Sequence, residues 1–82
     1  MFTVYAIKST THNFFYVGMT ENLEERLSRH NNGFVQSTKK FRPFTLIYQE
    51  EAINGIQARI KEKYFKSTSG KRFLRNLCRI GR

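Results

Sequence analysis

The fold is decided by residues 14–31, which read FFYVGMTENLEERLSRHN. Aromatic and β-branched residues open this stretch and favour a β-strand, and Gly18 marks a break or a close approach of the backbone. A helix is expected directly afterwards, because Asn22 is a favoured N-cap and Glu25 can reach back to complete a capping box. The stretch therefore predicts a strand that leads straight into a helix.

This helix carries an apolar stripe with two polar residues at its edge. Leu23 and Leu27 lie one turn apart and predict the face that packs on a sheet. At about 100° per residue, Arg26 and His30 fall beside that pair, facing the seam with the strand that bears Tyr16. The arrangement is typical either of a functional site or of an arginine that snorkels to solvent beside a partly buried histidine.

The strand at 14–17 is expected to pair with the one before it. Phe2 to Lys8 is dense in aromatic and β-branched residues, and a polar, turn-like segment follows it. If Thr10 and Thr11 form the centre of the turn, Tyr5 falls opposite Tyr16, with the two side chains about 5 Å apart on one face. The hairpin therefore predicts two neighbouring phenols, or an aromatic pair that only packs.

A loop and a third strand follow the first helix. Asn31 to Gly33 ends the helix, because a glycine or an asparagine readily takes the left-handed conformation there. Phe34 to Phe44 predicts a basic loop with Ser37, Thr38 and cationic side chains of the kind that grip phosphates. Thr45 to Tyr48 predicts the third strand.

Two further helices complete the chain. In residues 53–66, Ile53, Ile56, Ile60 and Tyr64 recur at helical spacing and predict a stripe facing the core. By the same periodicity Glu62 lies nearly opposite, which predicts a solvated side chain paired with Lys66. Residues 71–79 predict a short helix with Arg72, Arg75, Arg79 and then Arg82 outward. The predicted core includes Leu23, Leu27, Ile47, Ile56, Ile60, Phe73, Leu74 and Leu77.

Composition bounds the class of protein. Eighty-two residues predict one small domain over residues 1–82, with a core that depends on eight Phe and four Tyr. One cysteine, Cys78, excludes an internal disulfide and fits a reducing compartment. Because there is neither a signal-peptide pattern nor a membrane-length apolar run, we expect a cytoplasmic protein without membrane association.

Charge points to a polyanionic partner. Fifteen Lys and Arg oppose six Glu, for a net charge of +9. Residues 59–82 hold nine of the basic residues and one Glu. This excess favours nucleic acid over an anionic membrane surface, but it does not separate an enzyme from a binding module.

Several of these residues also form motifs in a fixed order. The motifs are Thr3-Val4-Tyr5, Tyr16-Val17-Gly18, Asn22-Leu23-Glu24-Glu25-Arg26-Leu27, His30-Asn31, Arg42-Pro43 before Leu46-Ile47-Tyr48, and Glu62-Lys63-Tyr64-Phe65-Lys66-Ser67. With them the chain resembles the GIY-YIG nuclease domain family across residues 2–75. It is most similar to small stand-alone members related to the nuclease half of the bacterial excinuclease subunit. The resemblance implies an α+β fold, a three-stranded antiparallel sheet flanked by helices.

The resemblance also implies an activity, a metal-dependent DNA endonuclease acting in DNA repair or recombination. It implies catalytic roles for Tyr5, Tyr16, Arg26, His30 and Glu62. Glu62 would hold one Mg²⁺ or Mn²⁺, which reverses its interpretation as a solvated residue. Glu50 and Glu51 are the rival metal ligands, and Met19 stands where some family members carry a lysine.

The chemistry of these side chains agrees with phosphodiester hydrolysis. Arg26 has the fork geometry that binds a phosphate. The attacking water would lose its proton to Tyr16 or to His30, and a histidine titrates closer to neutral pH than a tyrosine. Tyr5 would hold the water or the phosphate. The expected DNA contacts are Lys39, Lys40, Arg42, Lys66, Lys71, Arg72 and Arg75. The alternatives are a non-catalytic nucleic-acid-binding module and a protein-interaction domain derived from a nuclease.

Overall fold

The computed structural model describes residues 1–80, and their side chains as far as Cys78. The side chain of Arg79 and all of Arg82, which the sequence assigns to the basic face, lie outside the described residues. The elements are β1 (Phe2–Ser9), β2 (Phe15–Thr20), α1 (Leu23–Asn31), a 3₁₀ turn (Lys39–Phe41), β3 (Phe44–Ala52), α2 (Gly55–Lys66) and α3 (Thr68–Ile80).

The three strands form one antiparallel sheet in the order β2-β1-β3. Because side chains alternate along β1, the sheet has two different faces. Tyr5 and Ile7 pack towards α1, whereas Val4 and Ala6 pack with residues of α2 and α3. The described residues thus confirm the α+β class and the three-stranded antiparallel sheet.

The register of the hairpin differs from the predicted one by two residues. Tyr5 pairs with Gly18, and Ile7 pairs with Tyr16. A shift of one residue would have moved Tyr16 to the other face of the sheet, but a shift of two keeps both phenols on one face. The tyrosines are therefore diagonal neighbours, with ring centroids 6.3 Å apart.

Of the two hydrogen bonds that a capping box predicts at the start of α1, one is formed. The Asn22 side chain accepts a hydrogen bond from the Glu25 backbone N–H at 3.1 Å. The reciprocal bond of a capping box is absent, because the Asn22 backbone N–H donates to the Thr20 hydroxyl at 3.1 Å instead. The end of strand β2 thus helps to begin the helix.

The isoleucine stripe of α2 does not face the core, and this prediction was wrong. Ile56 and Ile60 are 74% and 57% exposed, and Ile53 and Tyr64 are also exposed. The buried side of the helix carries Ala58, at 0%, and Phe65, at 5%. The small alanine lets the backbone of α2 approach the sheet, and the Phe65 ring fills the gap against Tyr48, 5.0 Å between centroids.

The rest of the predicted core is mostly confirmed. Leu74 is buried, and Leu23, Leu27, Ile47 and Leu77 are partly buried against the two core clusters. The prediction that Phe73 belongs to the core was wrong: it is 39% exposed and contacts Tyr48 and Phe65 from the rim. Gly70 explains the tight junction of α2 and α3, because a Cβ there would lie within 2.1 Å of the Tyr64 carbonyl oxygen.

Candidate active site

Two phenols meet over the edge strand β2. A Cβ at Gly18 would lie 2.7 Å from the Tyr5 hydroxyl and 3.1 Å from the Tyr16 ring. Since real Cβ atoms do not approach that closely, only glycine leaves room for both side chains here. Gly18 lies inside the strand, so it provides a close approach and does not break the strand.

The Tyr5 hydroxyl is bonded to His30 from α1. Tyr5 Oη and His30 Nε2 are 2.9 Å apart, and both residues are fully buried. The other ring nitrogen, His30 Nδ1, lies 2.8 Å from the Thr38 hydroxyl. Both nitrogens of His30 are therefore engaged inside the protein, and the ring has no exposed edge with which to meet water directly.

Arg26 and Tyr16 complete the surroundings of the Tyr5 hydroxyl. Burial raises the pKa of Tyr5 to about 12, with a further increase from Tyr16, while the adjoining guanidinium of Arg26 lowers it. Burial also lowers the pKa of His30 to about 4, with help from the positive charges of Arg26 and Arg29. At neutral pH the site thus holds a neutral imidazole beside a neutral phenol.

Glu62 approaches from α2, on the opposite side of the sheet from α1. Its side chain is only 16% exposed, so the solvated position inferred from periodicity is wrong. The pairing inferred with Lys66 does occur, at 3.2 Å, and Arg59 lies 3.7 Å away. The charge of Glu62 makes the smallest of the contributions that raise the pKa of Tyr5, after burial and Tyr16.

The carboxylate oxygens of this site suit a hard divalent ion only if water and substrate phosphates complete its coordination shell. No group of three or more metal-ligating side chains occurs within the part of the chain that the structure describes. Mg²⁺ often binds through one or two carboxylates and completes its shell with water and substrate phosphates. The partly buried Glu62 carboxylate suits that role. Its rival Glu50 is likewise paired, with Lys61 and with the Tyr48 hydroxyl, and its side chain is more exposed, at 34%.

The residues expected to contact DNA all lie on the surface. Exposed side chains include Lys39, Lys40, Arg42, Lys66, Lys71, Arg72 and Arg75. Arg42 also donates to the Lys39 carbonyl at 2.9 Å, which ties the end of the basic loop together. The expectation that Thr38 binds a phosphate was wrong, because its side chain is fully buried.

A cleft beside Arg26 was not foreseen from the sequence. Its volume is about 450 Å³, and its lining consists of Glu25, Arg26, Arg29, Phe34, Val35 and Gln36. Phe34 is 69% exposed. Such a cleft, with two guanidiniums and an exposed ring, suits a phosphate and an unstacked base. The only sequence signal was Arg29, one turn before the glycine that ends α1.

Comparison with known proteins agrees with this geometry. Residues 1–76 match the family model described as the GIY-YIG catalytic domain. The chain is also similar to the UPF0213 protein in ldhD 5'region of Pediococcus acidilactici, at 40% identity over 71 residues, covering 80% of this chain and 70% of the relative. No solved structure matches significantly. Within residues 1–80, no helix is long and apolar enough to cross a bilayer.

Proposed function

The chain belongs to the GIY-YIG catalytic domain family, which is a nuclease family, and on that premise we propose that it is a divalent-metal-dependent DNA endonuclease acting in repair or recombination. One observation carries the proposal. The Tyr5 hydroxyl lies 2.9 Å from His30 Nε2, the Tyr5 ring lies 6.3 Å from that of Tyr16, and the charges of Arg26 and Glu62 both act on the pKa of Tyr5. We also propose a cytoplasmic location, where DNA is accessible and a lone cysteine stays reduced.

The proposed metal is one Mg²⁺ or Mn²⁺ held by Glu62. When bound, such an ion stabilises the negative charge that builds on phosphate oxygens during hydrolysis. Lys66 and Arg59 neutralise the carboxylate in the free protein. Since both are more exposed than Glu62, we propose that they turn towards DNA phosphates when the metal and substrate bind.

The protein's own residues divide the remaining tasks. Arg26 binds the phosphate, and its fork of N–H donors fixes the orientation of the phosphorus centre. Tyr16 is only half-buried, so we assign to its phenolic oxygen the task of orienting the attacking water and taking its proton. The water oxygen then forms the new bond to phosphorus while the bond to the leaving oxygen breaks. His30, which is enclosed, acts through Tyr5 and not as the base.

The basic surface supplies affinity for DNA. The exposed lysines and arginines of the 39–42 segment and of α3 would neutralise backbone phosphates and release counterions. We therefore propose that binding is largely electrostatic. Affinity measured against salt should fall steeply and log-linearly, and a flat dependence would contradict this assignment.

A cleavage assay with supercoiled and branched DNA, in Mg²⁺ and in Mn²⁺, tests the activity. Wild-type protein should cut, and Glu62→Gln should not, because the charge that recruits the cation is removed. DNA affinity of Glu62→Gln should hold or rise, since a negative charge near the phosphates is lost. Glu51→Gln is the matched control: its carboxylate is exposed, and its cleavage should equal that of the wild type. Equal cutting by Glu62→Gln would show that the metal ligand is elsewhere.

A binding module is the second candidate, and one observation favours it. The two oxygens of Glu62 are paired with Arg59 and Lys66 of its own helix. In a purely binding protein these pairs would simply neutralise a carboxylate on a DNA-facing surface. Salt-dependent binding of DNA without cleavage in either metal would establish this alternative and exclude the nuclease.

A further inference from the structure

Thr38 has no role in the reaction described so far, yet it is among the most enclosed residues of the protein. Its exposed fraction is 0%, although the lysines that follow it in the basic loop are exposed. Its hydroxyl oxygen lies 2.8 Å from His30 Nδ1 and 3.4 Å from the Val35 carbonyl oxygen. It thus extends the buried bond between Tyr5 and His30 into the loop.

The contacts of the Thr38 hydroxyl indicate a direction for the hydrogen bonds in this chain of groups. The Val35 carbonyl only accepts: it receives the Thr38 backbone N–H at 3.1 Å and lies 3.4 Å from the Thr38 hydroxyl oxygen. With the single hydroxyl hydrogen directed to that carbonyl, the Thr38 oxygen accepts from His30 Nδ1–H. A neutral imidazole then has its lone pair on Nε2, which accepts from the Tyr5 hydroxyl.

In the opposite direction, the Thr38 hydrogen would point to His30 Nδ1 and away from the Val35 carbonyl, and His30 would donate from Nε2–H to the Tyr5 oxygen. The Tyr16 ring and Phe44 cover the imidazole, at centroid distances of 4.9 and 5.9 Å, and leave His30 little room to turn.

We propose that Thr38 is a positioning residue, whose hydroxyl holds His30 as the Nδ1–H tautomer and so turns the hydrogen of Tyr5 inward, to His30 Nε2. The oxygen of Tyr5 is then left to accept, which suits a guanidinium donor such as Arg26. The catalytic part of this inference rests on the proposed nuclease function. The tautomer part concerns the free protein and does not.

Nitrogen-15 correlation spectra of the histidine rings test the tautomer directly, without DNA or metal. His12→Gln removes the other histidine, which is exposed, and leaves the His30 signals alone. In this background at pH 7, Nδ1 should be protonated and Nε2 should not. A protonated Nε2 would overturn the proposal, whatever the protein does to DNA.

Two substitutions separate positioning from simple packing. Thr38→Val keeps the shape of the side chain and removes the hydroxyl, while Thr38→Ser keeps the hydroxyl and removes a methyl group. We expect a mixed or inverted tautomer in Thr38→Val and the wild-type tautomer in Thr38→Ser. If Thr38→Val fails to fold, the wild-type and Thr38→Ser spectra still decide the question.

The kinetic arm uses the same variants. If the wild type cuts DNA, kcat of Thr38→Val should fall roughly 10- to 100-fold, as when the hydrogen-bond partner of a metal-bound histidine is removed, with little change in KM. Thr38→Ser should recover most of kcat. Equal kcat losses in both variants would point to packing and contradict the proposal. An inactive wild type with the expected tautomer would refute the nuclease function and leave the hydrogen-bond assignment intact.

Discussion

On the face of the sheet covered by α1, buried polar side chains are bonded to one another, whereas the fully buried side chains beneath α2 and α3 are apolar. The first face holds His30, Thr38 and Tyr5 at 0% exposure. The second holds Val4, Ala58 and their neighbours in one hydrophobic cluster. Buried polar networks restrict the arrangement of side chains more than they stabilise the fold. The comparison teaches that the α1 face adds a buried polar network to an apolar cluster, whereas the other face is held together by apolar packing.

The largest effect should follow from opening a cavity in the apolar face. Phe65 is 5% exposed and contacts Tyr48 and Phe73. Phe65→Ala should lower the free energy of unfolding by about 3–5 kcal/mol, which is a large part of the stability of a small domain. Urea denaturation measures it. A loss below about 1 kcal/mol would show that this face does not carry the stability.

The next largest effect is a loss of stability at low pH, caused by His30 on the face of the sheet covered by α1. The pKa of His30 is about 4 in the folded protein, against an ordinary value of 6.5. As pH falls below 6.5 the unfolded chain binds this proton first, so stability is complete above pH 6.5 and declines towards pH 4. Between pH 7 and pH 5 the loss should be roughly 2 kcal/mol. His30→Gln should abolish this slope and His12→Gln should keep it; an unchanged slope in His30→Gln would assign it to other groups.

A matched pair of tyrosine-to-phenylalanine substitutions, one on each face of the sheet, tests the comparison between the two faces. Tyr5→Phe removes the hydroxyl that is hydrogen-bonded to the buried Nε2 of His30 and should cost about 1–3 kcal/mol. Tyr48→Phe, on the other face, removes a bond to the partly exposed Glu50 and should cost less than about 1 kcal/mol. Because the Tyr48 hydroxyl also helps Lys61 to lower the pKa of Glu50, that pKa should rise in Tyr48→Phe. Equal stability losses would show that the two hydroxyls are equivalent.

Much of the fold could be predicted because local patterns determined it. The strand-to-helix stretch at 14–31 contained its own N-cap, and each strand and helix occurs near its expected place. The same stretch held Tyr16, Arg26 and His30, so the topology had only to bring Tyr5 beside them. Residues that lie close together in the sequence can be placed relative to one another, because their arrangement depends on short-range geometry.

The predictions that were wrong concerned features that depend on tertiary contacts. The turn between β1 and β2 includes the bond from Ser9 N–H to the Phe14 carbonyl, which sets a register two residues from the expected one. Periodicity showed that α2 has two faces but not which one meets the sheet, and the more hydrophobic face was chosen wrongly. Thr38 was expected to face phosphates from the basic loop, because only folding brings its hydroxyl to His30.

The smallest expected effect lies on the outer face of α2, where a hydrophobic side chain contributes little. Ile56 is 74% exposed, so replacing it removes few contacts and leaves no cavity. Ile56→Ser should therefore change the free energy of unfolding by less than about 1 kcal/mol, mainly through helix propensity. Ala58→Ser is the matched control on the same helix. It puts a hydroxyl into a fully buried position and should cost more than Ile56→Ser, although the substituted side chain is much smaller. Urea denaturation of both variants measures the difference. The reverse order would mean that the isoleucine face packs in the core after all, and that α2 is rotated so that Glu62 turns away from Tyr5.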